Sequence, residues 1–182
     1  MSPTIKKVIL FIGIISLVLF MGLIGAAWYM GAFSSVSIST GEKGPFYFVY
    51  LEHHGPYYQI QNKIVIVEKY LTDNKIEYLH SAGIYFDNPA EVAESDLKSF
   101  GGFVIEDSVV VNEPYKFIKI KRRNVVIASI EAIPMIAPFK IYPAFNEWLG
   151  NNKNVEIVAP PLELYLPDEK IEVQLAFQEK IN

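Results

Sequence analysis

PLELYLP (residues 161–167) alternates strictly, with Leu162, Leu164 and Leu166 on one side of an extended chain and Glu163 and Tyr165 on the other. GIYFDNP (residues 83–89) follows the same rule until Asp87-Asn88-Pro89 turns it out of the strand. Laid on each other, the two put Tyr85 on Tyr165, Gly83 on Glu163, and Ile84 and Phe86 on leucines. Each also holds the same place in a longer pattern. Upstream lies an apolar run ending in Leu51-Glu52 or Ile130-Glu131, then a proline-containing turn, then a segment with helical spacing. The helical faces are Ile60, Ile64, Val67, Tyr70 and Leu71 in the first copy and Ile141, Phe145, Trp148 and Leu149 in the second. Each helix is stopped by an Asn-rich stretch, TDNK or GNNK. Downstream comes one more apolar run, GGFVIED or KIEVQLAFQ. The order strand, helix, strand, strand occurs twice. It predicts an α+β fold of two pseudo-symmetric βαββ modules that form one antiparallel sheet with both helices on one face. The leucines are expected to face the helices, while Glu163, Tyr165 and Tyr85 face an opposite, concave surface suited to a ligand.

Residues 8–33 (VILFIGIISLVLFMGLIGAAWYMGAF) carry no charge at all. That run exceeds the roughly 20 apolar residues that cross a bilayer as a helix, and it is longer than the apolar core of a cleaved signal. A lipoprotein signal would need a cysteine, and the chain has none. The expectation is a single uncleaved transmembrane helix over 8–33, with Trp28 and Tyr29 at the far interface. Lys6 and Lys7 hold residues 1–7 on the cytoplasmic side, so the rest of the chain is expected outside the cytoplasm. Residues 34–44 (SSVSISTGEKG), small, polar and punctuated by glycine, read as a linker, and 45–182 as the folded domain.

The chain's 182 residues include 16 Lys and Arg against 20 Asp and Glu, and two of the basic residues precede the apolar run. A domain this acidic is no electrostatic match for nucleic acid. The basic run KIKRR (residues 119–123) reads either as a solvated strand end or as a patch for anionic lipid or a partner. Without cysteine there is no disulfide and no thiolate metal site. His53, His54 and His80 lack a supporting carboxylate cluster, so no metal and no cofactor is expected. FGGF (residues 100–103) reads as a bend, and nucleophile-elbow, Walker and dinucleotide motifs are absent. Glu163 among tyrosines is the candidate centre. It reads either as an edge glutamate in water or as a desolvated carboxylate that a cationic, aromatic ligand would neutralise and stack upon. Trp148 sits among core positions, so core is its first reading and pocket lid its second.

EHHGPYYQI, GIYFDNP, AFNEWL and PPLELYLP, in that order and spacing, resemble the GyrI-like small-molecule-binding domains, which also serve as effector-binding modules of multidrug-responsive regulators. The resemblance spans about residues 45–178. It implies two βαββ modules related by a pseudo-two-fold axis, an SHS2-like duplication, and a cleft with a glutamate at its floor, which falls on Glu163-Leu164-Tyr165. The combination with an N-terminal membrane helix is similar to an anchored branch of the family that includes an endoplasmic-reticulum autophagy receptor. The long acidic tail of that branch has no counterpart before Asn182, so its partner function is not carried over, and no DNA-binding domain accompanies the module. The implied function is a membrane-tethered module that binds small aromatic or cationic molecules at Glu163, Tyr165 and Tyr85, with Trp148 closing the cleft. Two alternatives stay open: a hydrolase of reactive small molecules with Glu163 as general base, and a protein-interaction module without a ligand.

Overall fold

A computed structural model describes residues 2–180; Met1, Ile181 and Asn182, at the ends of the expected segments 1–7 and 45–182, lie outside the described residues. The chain begins with helix α1 (Pro3–Tyr29), started by Ser2, whose side chain accepts from the Ile5 N–H at 3.3 Å, and by a proline in its first turn. None of its side chains is buried against the rest of the molecule, and its mean hydropathy reaches 2.9, so it is long and apolar enough to cross a membrane.

Among the described residues nine strands follow. They are β1 (Ser37–Lys43), β2 (Phe46–His54), β3 (His80–Tyr85), β4 (Lys98–Ile105), β5 (Lys116–Ile120), β6 (Arg123–Glu131), β7 (Val155–Ile157), β8 (Leu162–Tyr165) and β9 (Lys170–Glu179). Helix α2 (Ile60–Asp73) lies between β2 and β3, and α3 (Ala137–Asn151) between β6 and β7. All pairings are antiparallel, in the order β1-β6-β9-β8-β3-β4-β2-β5, with the short β7 added on β9. The order is a palindrome about the β8–β3 pair. On one side β2, α2, β3 and β4 form a βαββ unit; on the other β6, α3, β8 and β9 repeat it.

Ser37–Lys43 corrects the expected linker. These residues form an edge strand, β1, paired along its whole length with β6 from Ser37↔Ser129 to Lys43↔Arg123. Weak strand formers are held there because β6 would otherwise present a bare row of backbone N–H and C=O groups. FGGF is likewise not a bend but part of β4. A Cβ on Gly101 would meet Ile60 of α2 at 2.8 Å, so the glycine lets that helix settle onto the strand. The basic run divides between the end of β5, an exposed turn at Lys121 and Arg122, and the start of β6, which is the solvated strand end of the two readings.

The two helices do share one face of the sheet, but the alternation places the opposite side chains beneath them. Ile60, Ile64, Val67 and Leu71 of α2 pack with Val49, Leu51, Phe103 and Ile105, and Tyr85 and Tyr165 lie against the same cluster. Ala137, Ile141 and Phe145 of α3 pack on Val126, Ala128, Ile171 and Val173, again touching Tyr165. Leu162, Leu164 and Ile84 instead join Phe48, Tyr50, Ala82 and Val104 on the helix-free face. The expected faces are therefore exchanged: the tyrosines, not the leucines, lie under the helices. Both faces are packed, so truncation on either is costly. Phe145→Ala should lose about 3–5 kcal/mol and Leu164→Ala about 2–5 kcal/mol in denaturant unfolding of the full chain in detergent. A near-neutral Leu164→Ala would mean that the helix-free face is not a core.

Candidate functional site: a carboxylate under four tyrosines

The seam between the two units is short. Ser81, Ala82, Gly83 and Ile84 of β3 pair with Tyr165, Leu164, Glu163 and Leu162 of β8, which puts Gly83 directly across from Glu163. Tyr85 and Tyr165 lie two residues beyond that pair on either strand, on its helix-covered side. Gly83 explains how they meet. A Cβ there would run into the Tyr85 ring at 2.9 Å, so the missing side chain leaves room for Tyr85 to fold back over its own strand. Its hydroxyl reaches the Tyr165 hydroxyl at 2.6 Å, and Tyr165 donates to Glu163 Oε2 at 3.4 Å. The three polar groups form a chain from Tyr85 through Tyr165 to Glu163.

Two further tyrosines complete the cover, and the sequence reading missed both. Tyr142, in the second turn of α3, lies near enough to Glu163 for its hydroxyl to favour the charged carboxylate. Tyr57, in the short 3-10 turn (Tyr57–Gln59) before α2, meets the Tyr85 ring edge-on with centroids 4.8 Å apart. Its hydroxyl donates to Asp87 O at 2.9 Å and accepts from the Asp87 N–H at 2.9 Å, while Asp87 Oδ2 accepts from the Lys98 N–H at 2.6 Å. The turn that ends the aromatic strand thus fixes one wall of the site. Both missed tyrosines lie beside a proline, in GPYY and KIYP, and that was their only signal.

Glu163 is 8 % exposed. Burial pushes its pKa from 4.5 to about 7, opposed by the Tyr165 and Tyr142 hydroxyls, which favour the charged form. Tyr85, Tyr142 and Tyr165 are all held above the ordinary tyrosine range, mainly by burial and also by the nearby carboxylate or its partners. Near neutrality, therefore, Glu163 is the one group here that exchanges a proton. With so little of its surface exposed, the carboxylate is covered rather than open, and two surface depressions of about 400 and 410 Å³ lie elsewhere, one lined by Phe33, Ser129 and Lys170 and the other by Tyr78 and Glu106.

Of the four residues expected at the site, Glu163, Tyr165 and Tyr85 come together. Trp148 does not join them: its ring packs on Phe177 with centroids 5.5 Å apart, at the margin of the α3 core, so the first of its two readings holds. His53 is buried and spends Nε2 on Pro56 O at 3.0 Å, while His54 is exposed. Among the described residues no three metal-ligating side chains cluster.

Several solved structures share this fold at low sequence identity. The EcmrR C-terminal domain aligns with a TM-score of 0.65 and 16% identity, covering 80% of this chain and 99% of that one. SAV2435 bound to tetraphenylphosphonium aligns at 0.51 and 11%, covering 78% and 94%. A hydrolase from Listeria innocua aligns at 0.54 and 10%, covering 79% and 93%. No match emerges among curated protein sequences. The family model for the GyrI-like small molecule binding domain matches residues 38–176, from within β1 to within β9, and the chain belongs to that family.

Proposed function

We propose that this protein is a membrane-tethered receptor module that binds small aromatic cations at Glu163. The observation that carries the reading is a single carboxylate, nearly out of water, beneath Tyr57, Tyr85, Tyr142 and Tyr165. A cation placed beside Glu163 would remove the cost of its buried charge, and its flat apolar groups would stack on the surrounding rings. Entry requires the tyrosine cover to part, and Tyr142, on α3 rather than in the sheet, is the wall that would move, since Asp87 holds Tyr57 in place. The SAV2435 relative, with its phosphonium ligand, supports this class of ligand. Helix α1, long and apolar enough to span a bilayer, supplies the tether, with Lys6 and Lys7 favouring a cytoplasmic N-terminus.

A carboxyl group that titrates near 7 is also suited to general base catalysis, which keeps hydrolysis of a reactive ligand as the second reading. Glu163→Gln separates the two. It preserves shape and removes the charge, so tetraphenylphosphonium binding by calorimetry should weaken at least tenfold under the binding reading. Under the hydrolase reading turnover is lost while substrate binding persists. Unchanged affinity and unchanged turnover would remove both.

The sign of the pH dependence follows from the raised pKa. Cation binding needs the carboxylate, so affinity should be full above pH 7 and fall by up to about tenfold per pH unit below it. Stability runs the other way. The folded-state pKa lies above the unfolded 4.5, so the contribution of Glu163 to stability is fullest below pH 4.5 and is lost as pH rises through about 7. Glu163→Gln should therefore stabilise the unliganded chain at pH 8 by up to roughly 3 kcal/mol and flatten the curve between pH 4.5 and 7. For orientation, Val110 is 94 % exposed on the loop after β4. A Val110→Cys variant should react with a membrane-impermeant maleimide in intact cells; labelling only after lysis would reverse the orientation.

A further inference from the structure

Helix α1 does not run out into free chain. Past its last residue the Met30 carbonyl accepts from the Ile133 N–H at 3.2 Å, and the Ser34 carbonyl accepts from Lys140 Nζ at 2.6 Å. Tyr29 donates its hydroxyl to Glu169 at 3.4 Å. Gly31 adopts φ +78, and a Cβ on it would run into Glu131 O and Ala132, so backbone is pressed against backbone. The exit of α1, the β6–α3 connection and the start of α3 are clamped together.

That connection and the first turn of α3, residues 132–139 (AIPMIAPF), carry no charge, although Glu131 precedes them and Lys140 follows them. Ala132 and Ala137 turn inward and are 1 % exposed, while Met135 at 73 % and Phe139 at 80 % project outward. Trp28, Tyr29 and Phe33, on the neighbouring exit of α1, are also exposed apolar side chains. At 1.5 Å per residue the 27 residues of α1 span about 40 Å, close to a whole bilayer with its headgroup layers. Met30 therefore stands at headgroup level, and the bond from Ile133 holds the uncharged connection at the same depth.

We propose that residues 132–139 lie in the bilayer interface, with Met135 and Phe139 inserted among the lipid chains, so that the domain rests on the membrane instead of swinging from a tether. The occupant of this apolar face is lipid, because the face is continuous with the exit of the spanning helix and a hydrogen bond fixes its depth. It rests on the reading of α1 as a span. Phe139 lies one turn before Tyr142, so the wall of the Glu163 site runs on into the bilayer. Aromatic cations, which collect at that interface, would then reach the carboxylate from the membrane side.

The chain has no cysteine, so single-cysteine variants of the full-length protein can carry an environment-sensitive nitrobenzoxadiazole label. Leu17→Cys, Met135→Cys, Phe139→Cys and Val110→Cys would be compared in phosphatidylcholine–phosphatidylglycerol vesicles. Labels at 17, 135 and 139 should be quenched by spin-labelled lipid, and quenched by aqueous iodide several-fold less than the label at 110. With 17 in lipid, iodide access at 135 and 139 equal to that at 110 overturns the inference and leaves the anchor standing. Shielding at 135 and 139 from both quenchers would mean that a second copy covers them, and overturns it as well. Exposure of 17 to iodide would remove the anchor itself, and the inference with it.

Discussion

Everything in the sheet depends on one short seam. Four residues of β3 and four of β8, with the Tyr85 N–H donating to Pro161 O just beyond them, join the two βαββ units edge to edge. On the helix-free side Ala82, Ile84, Leu162 and Leu164 close it with apolar packing. On the helix side the seam holds a buried carboxylate, covered by hydroxyl-bearing rings. The elements that hold the halves together are thus the elements that form the site. Burial disfavours the charged form of Glu163, so the seam is weaker where that carboxyl is ionised.

Much of this architecture can be read in the residues. The helix faces at Ile60, Ile64, Val67 and Leu71, and at Ile141 and Phe145, are where the 3.6-residue rhythm puts them. The alternation in PLELYLP separates the leucines from Glu163 and Tyr165 correctly. What it cannot say is which set lies under the helices, because alternation distinguishes two faces without naming their neighbours. Leucine suggested the helix side; but both faces of this sheet are packed, and tyrosine can be buried when its hydroxyl finds a partner. Ser37–Lys43 was illegible as a strand for a related reason. Apart from Ile38 and Thr40 its residues have little preference for one, and it is held extended by pairing with β6 along its length, with Ile38 packed on the α3 core.

The site was legible in its sheet half and not in its helix half. Tyr85, Tyr165 and Glu163 follow from strand periodicity. Tyr57 and Tyr142 come from helix starts remote in sequence, and their approach depends on how α2 and α3 are seated, which no local pattern records. Asp87 belongs with them. A residue that looks like an ordinary strand stop binds Tyr57 through its own backbone and so aligns the aromatic wall.

Gly83 across from Glu163 decides how many protons the site can hold. The pair sits at the centre of the palindromic strand order, where strict symmetry would place like against like. Two carboxylates facing each other across adjacent strands, roughly 5 Å apart, could not both ionise, and would share a proton as a coupled dyad with two separated titrations. With glycine on one side the centre holds a single carboxylate and carries at most one negative charge. The empty half is filled by the Tyr85 ring, which turns a symmetric frame into a directional one: a polar chain that starts on β3 and ends on β8.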